Sequence, residues 1–131
     1  MTSRPTISDY MARDVATLRP EMEINRAVAI LLEKGYSGAP VVDGAGELVG
    51  VLSMKDCLRA ALNSSYFQEW GGTVADYMST AVETLDAELG IVQAAEHFLD
   101  SRYRRFPVTS EGRLIGQISR VDLLRALAEQ W

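Results

Sequence analysis

The chain has 131 residues, 47% of them hydrophobic, enough for one compact domain or two interdependent halves. A net charge of -5 and a pI near 4.8 leave no long-range field to draw nucleic acid or anionic lipid, and a single cysteine, Cys57, excludes an internal disulfide and a cysteine metal cluster. No stretch approaches the about 18 apolar residues of a spanning helix, and Met1-Thr2-Ser3-Arg4-Pro5 lacks the apolar run of a signal peptide, so a cytoplasmic protein is expected, bound to neither membrane nor nucleic acid.

In chain order, Thr6-x-x-Asp9 has the capping-box pattern and predicts a short helical turn ending near Met11. Val15 to Leu18 reads as a short extended segment. Ile24, Ala27, Val28, Leu31 and Leu32 then recur at helical spacing, with Gly35 as a helix stop. Pro40 to Asp43 and Glu47 to Leu52 read as two strands of a hairpin around Gly44-Ala45-Gly46. A helix after Ser53 is expected to carry Leu58 and Leu62. Residues 63–72 contain Tyr66, Phe67 and Trp70 and are expected to form a linker. That aromatic cluster suits a cover for the core edge, a lid or a dimer contact.

The whole series then returns. Thr73-x-x-Asp76 repeats the opening turn, and Val82 to Leu85 the extended segment. Ile91, Ala94, Ala95, Phe98 and Leu99 repeat the amphipathic helix, Pro107 to Thr109 and Arg113 to Ile118 the hairpin across a shorter turn with Gly112. Leu123, Leu124 and Leu127 lie on the last helix, and Trp131 closes the chain. Solenoid units of roughly 20–50 residues need three or more copies, so two copies this long do not make a solenoid. Half the chain alone would bury only about 60% of its unfolded surface, so the halves are expected to share a core.

The order Pro-Val-Val-Asp, a glycine turn, Leu-Val-Gly-Val-Leu-Ser-Met-Lys-Asp and a Leu-rich helix, present twice, resembles a tandem pair of cystathionine β-synthase (CBS) domains, a Bateman module. The resemblance covers nearly the whole chain and implies an α/β (α+β) fold. Two tandem β-α-β-β-α units, residues 6–62 and 73–131 around the linker 63–72, are expected to pack sheet to sheet with pseudo-twofold symmetry. It also implies two clefts for an adenosyl ligand (AMP, ADP, ATP or S-adenosylmethionine), a homodimer, and signalling to an unidentified partner protein. No cofactor is required.

The sharpest site motif is Gly50-x-x-Ser53-x-x-Asp56, echoed by Gly116-x-x-Ser119-x-x-Asp122. It sets a hydroxyl and a carboxylate on the first turn of a helix, whose free N–H groups and partial positive charge suit phosphate. The family pattern gives the aspartate to the ribose hydroxyls and the serine to phosphate or ribose. The same spacing also serves as a capping box, where the serine alone contributes about 1 kcal/mol. Both roles can hold together.

The family resemblance adds the segment leading into the hairpin, Tyr36-Ser37-Gly38-Ala39-Pro40 and Tyr103-Arg104-Arg105-Phe106-Pro107, as the adenine-facing stretch. Gly38 and Ala39 leave room, whereas Arg104 and Arg105 offer guanidinium forks to phosphate or stand solvated beside a core phenylalanine. The two sites are therefore expected to differ in affinity. Thr17 and Thr84 match cleft-lining positions of the family, but core-strand threonines are the reading preferred here. His97 reads as a packing or interface residue and Cys57 as a buried thiol. No nucleophile, base and orienting group recur together and no metal-ligand spacing exists, so catalysis is not expected. The alternative to a ligand sensor is a ligand-free dimerisation or protein-interaction module.

Overall fold

The computed structural model describes residues 4–69 and 71–130, so the expectations for Trp70 and Trp131 lie outside the described residues. Two compact units emerge. A continuous unit spans Ala16–Val82, and a split unit joins the chain up to Val15 with the chain from Glu83 onward.

In the continuous unit, helix α1 (Ile24–Lys34) buries Ile24, Ala27 and Leu31 and stops at Gly35, whose φ of 68° is the left-handed conformation that glycine adopts freely. Strands β1 (Gly38–Val42) and β2 (Leu48–Ser53) pair antiparallel, with Gly38 opposite Ser53. The Asp43 carboxylate fixes their turn by accepting from the N–H groups of Ala45 and Glu47 at 2.9 and 3.0 Å. The extended segment before α1 reduces to one parallel bridge, Leu18 against Val41. Helix α2 (Met54–Phe67) continues into the stretch expected to be linker, because no glycine or proline interrupts residues 63–67. Helix α3 (Val74–Tyr77) completes the unit.

The split unit starts with a 3-10 turn, Ile7–Asp9. It continues with strand β3 (Leu85–Asp86), helix α4 (Ile91–Leu99), strands β4 (Arg105–Ser110) and β5 (Arg113–Ser119), and helix α5 (Arg120–Ala128). The sheet order is β3-β4-β5, β3 parallel to β4 and β5 antiparallel to it. Glu111 and Gly112 both take positive φ, 52° and 81°, the twist a two-residue hairpin turn needs.

The packing units are offset from the sequence repeats by one opening turn. Ile7 of the first repeat is fully buried with Leu85, Phe106, Val108 and Ile118 of the second. Its N–H donates to the Leu89 carbonyl at 2.9 Å, and Ala12 exchanges both backbone hydrogen bonds with Gln117. Val74 of the second repeat is buried with Leu18, Val41 and Leu52 of the first, and Ser79 exchanges both bonds with Val51. The glycines of the Gly-x-x-Ser-x-x-Asp motif make this possible. A Cβ on Gly50 would stand 2.9 Å from the Ser79 carbonyl oxygen, and one on Gly116 2.7 Å from that of Ala12. Close backbone approach is what these two positions require.

Leucines expected on the core faces partly point elsewhere. Leu32, Leu58, Leu62, Leu99 and Leu124 are exposed, whereas Cys57, Ala60, Leu123 and Ala126 are buried. The buried residues of α2 and α5 recur three apart, 57 and 60 in one and 123 and 126 in the other, so this stripe rather than the one carrying Leu58 and Leu124 faces the core.

Candidate functional site

Each unit places its strand start beside its helix start. In the continuous unit Gly38 pairs with Ser53, the Ser37 carbonyl accepts from the Met54 N–H at 2.9 Å, and Leu18 donates to the Pro40 carbonyl. Ser37, Gly38, Ser53 and Asp56 thus stand at one corner, with Thr17 in the segment bridged to β1. Arg105 pairs with Ser119 in the split unit, the Arg104 carbonyl accepts from the Arg120 N–H at 3.2 Å, and Leu85 pairs with Val108. That register sets Arg104, Arg105, Ser119 and Asp122 at the equivalent corner, with Thr84 just before β3 on the other side of β4.

The carboxylates are held tightly. Asp56 Oδ2 accepts from the Ser53 N–H and hydroxyl, both at 2.9 Å, while the Asp56 N–H donates to Ser53 Oγ at 3.1 Å. Asp122 and Ser119 repeat this at 2.9, 3.0 and 3.2 Å. The capping reading therefore holds at both helices. Each aspartate has a second oxygen, and the sequence reading overlooked its partner: Arg59 donates to Asp56 Oδ1 at 3.2 Å, and Arg125 stands 3.6 Å from Asp122 Oδ1. The signal was in the sequence, an Asp-x-x-Arg at (i, i+3) in both copies.

Several candidate residues lie behind the corner. Ala39, Pro40, Phe106 and Pro107 are buried, and Phe106 is ringed edge-on by His97, Phe98 and Tyr103 at 4.8 to 5.4 Å. Phe106 thus supports the corner from the core side. Thr17 and Thr84 are exposed, which removes the strand-core reading, and Tyr36, Ser37, Arg104 and Arg105 are exposed as well. His97 also lies 3.8 Å from a Glu83 carboxylate oxygen. Cys57 is buried, and burial, then the neighbouring Asp56 charge, pushes its thiol pKa up, away from a reactive thiolate.

Among the described residues no buried side-chain polar atom lacks a hydrogen-bond partner, and no group of His, Cys, Asp and Glu is placed to hold a metal ion. No described helix is long and apolar enough to cross a membrane.

A repeated helix-and-hairpin unit with this corner defines a class, and comparison with known proteins agrees. The CBS domain family model matches twice, over residues 7–63 and 74–129. The chain belongs to the CBS domain family. It is 30% identical over 149 aligned positions to the chloroplastic CBS domain-containing protein CBSX1 of Arabidopsis thaliana, covering 92% of this chain and 63% of that one. An uncharacterized protein of Methanocaldococcus jannaschii is 29% identical over 125 residues, 95% of this chain and 44% of that one. The chain thus spans about half to two thirds of the length of these relatives. The crystal structure of CBSX2 in complex with AMP, an Arabidopsis thaliana protein, is 29% identical with a TM-score of 0.80, covering 95% of this chain and 97% of that one.

Proposed function

We propose that the protein is a non-catalytic regulatory module of the cytoplasm that binds an adenosyl ligand (AMP, ADP, ATP or S-adenosylmethionine) at its helix-start corners and signals occupancy to a partner protein. The observation that carries this reading is the duplicated corner itself. A serine and an aspartate stand at a helix start beside an exposed strand start, in a chain 29% identical to a protein crystallised with AMP. A hydroxyl-and-carboxylate pair over free helix N–H groups suits a ligand with ribose hydroxyls at one end and an anion at the other. Ligand acts by linkage: it shifts the protein between arrangements by no more than its difference in affinity for them. Exposed Leu32, Leu58, Leu62, Leu99 and Leu124 support pairing with a second copy of the chain as part of this proposal.

The test is a thermal-shift series with AMP, ADP, ATP, S-adenosylmethionine and NAD. A ligand at a hundredfold excess over its dissociation constant stabilises the fold by about 2.7 kcal/mol, a rise on the order of 10 °C. Flat melting curves with all five up to millimolar concentration would refute the proposal. One observation favours a second reading, a ligand-free interaction module: both oxygens of Asp56 already have partners within the protein. Under that reading Asp56→Ala and Asp122→Ala lower stability and change no ligand response.

A further inference from the structure

We propose that the two corners divide the adenosyl ligands by phosphate count, the split unit preferring di- and triphosphate tails and the continuous unit being indifferent to them. This rests on the adenosyl reading above and adds to it a rule of selection.

The inference comes from four aligned positions. Arg102, Arg104, Arg105 and Arg120 of the second repeat stand where the first repeat has Gly35, Ser37, Gly38 and Met54. Backbone pairing gathers three of them around one serine: Arg105 lies opposite Ser119, Arg120 follows it as the first residue of α5, and the Arg120 N–H donates to the Arg104 carbonyl. All four side chains are exposed, and none is in an ion pair among the described residues. The one carboxylate at this helix start, Asp122, is engaged by Ser119 and by Arg125. In the continuous unit the corner carries Lys55 and, at the end of α1, Lys34, but no guanidinium at the strand start.

Chemistry then separates the two. Guanidinium groups meet phosphate oxygens bidentately, and each added phosphate brings further oxygens and charge for an unpaired arginine to engage. Lysines offer point charges without that fork. Gly38 and Ser37 offer backbone groups and a hydroxyl, which do not reward a longer tail.

Titration of AMP, ADP, ATP and tripolyphosphate into the full chain tests this, read by the labelled methyl signals of its isoleucines. Ile91, Ile115 and Ile118 report on the split unit, Ile24 and Ile30 on the continuous unit. The expected result is an affinity ladder at the split unit, ATP over ADP over AMP, about 3- to 10-fold per phosphate at low salt and flattening as salt rises. Arg104→Ala with Arg105→Ala collapses the ladder, weakening ATP far more than AMP, and Arg104→Lys with Arg105→Lys retains part of it. The continuous unit binds all three nucleotides within about 3-fold of one another. Equal affinities at the split unit, or a steeper ladder at the continuous unit, overturns the proposal while leaving adenosyl binding intact; tripolyphosphate competing as well as ATP overturns it by removing the adenosyl reading at the split unit. Absence of binding by every nucleotide removes the adenosyl reading and this selection rule together.

Discussion

In the continuous unit Asp56 Oδ2 takes two hydrogen bonds from Ser53, and in the split unit Asp122 Oδ2 takes the same two from Ser119, with lengths that agree within 0.1 Å. The strand registers agree too, Gly38 against Ser53 and Arg105 against Ser119. What differs is the residue at each matched place: glycine faces arginine, serine faces arginine, methionine faces arginine. Backbone and caps form a shared frame, because a helix start must satisfy its N–H groups whatever else it does. Exposed side chains carry no such obligation, so charge is where the two copies are free to part.

That division can be broken first at the core. Ile7→Ala should cost about 2–5 kcal/mol in denaturant melts, and Val74→Ala less, because it removes a smaller side chain. Hydrogen exchange should place the loss from Ile7→Ala among the amides of β4 and β5, and that from Val74→Ala among those of β1 and β2. Protection lost within the residue's own repeat would contradict the exchanged opening turns.

A smaller effect comes from the motif glycines. Gly116→Ala and Gly50→Ala should each cost about 1–3 kcal/mol through crowding, Gly116 more, since its Cβ would meet a carbonyl oxygen at 2.7 rather than 2.9 Å. Unchanged stability in both would mean that the opening turns shift aside freely.

The smallest effect sharpens the likeness of the two corners. Ser53→Ala and Ser119→Ala should each lose about 1 kcal/mol and match each other closely, since both caps have the same geometry. A large difference between them in chemical denaturation would show that the shared frame is less alike in energy than in form.

Most of the frame was legible in the chain. Capping boxes, the Gly35 stop and the glycine turns are local chemistry, written within a few residues of where they act. The exchange of opening turns was not legible. The capping pattern marks the opening turns that hold Ile7 and Val74, and it is silent on which copy covers them. Apolar spacing alone likewise leaves a helix's rotation open: α2 carries Leu58 and Leu62 as expected, yet it is Cys57 and Ala60 that it buries. At the corner the motif singled out Ser53 and Asp56, and Thr17 came from the family resemblance; Arg59 was passed over, although its spacing of three from Asp56 was there in the sequence.

The exchanged turns also decide what a cut in the chain would do. Scission between Gln68 and Glu69 falls inside the continuous unit rather than at a border between bodies. Each fragment keeps a piece the other needs: Val74 N–H still donates to the Met22 carbonyl at 2.8 Å, and Ile7 N–H to that of Leu89 at 2.9 Å. The two pieces should remain together through gel filtration and, expressed apart, should find and complement each other, as a latch closed from both sides.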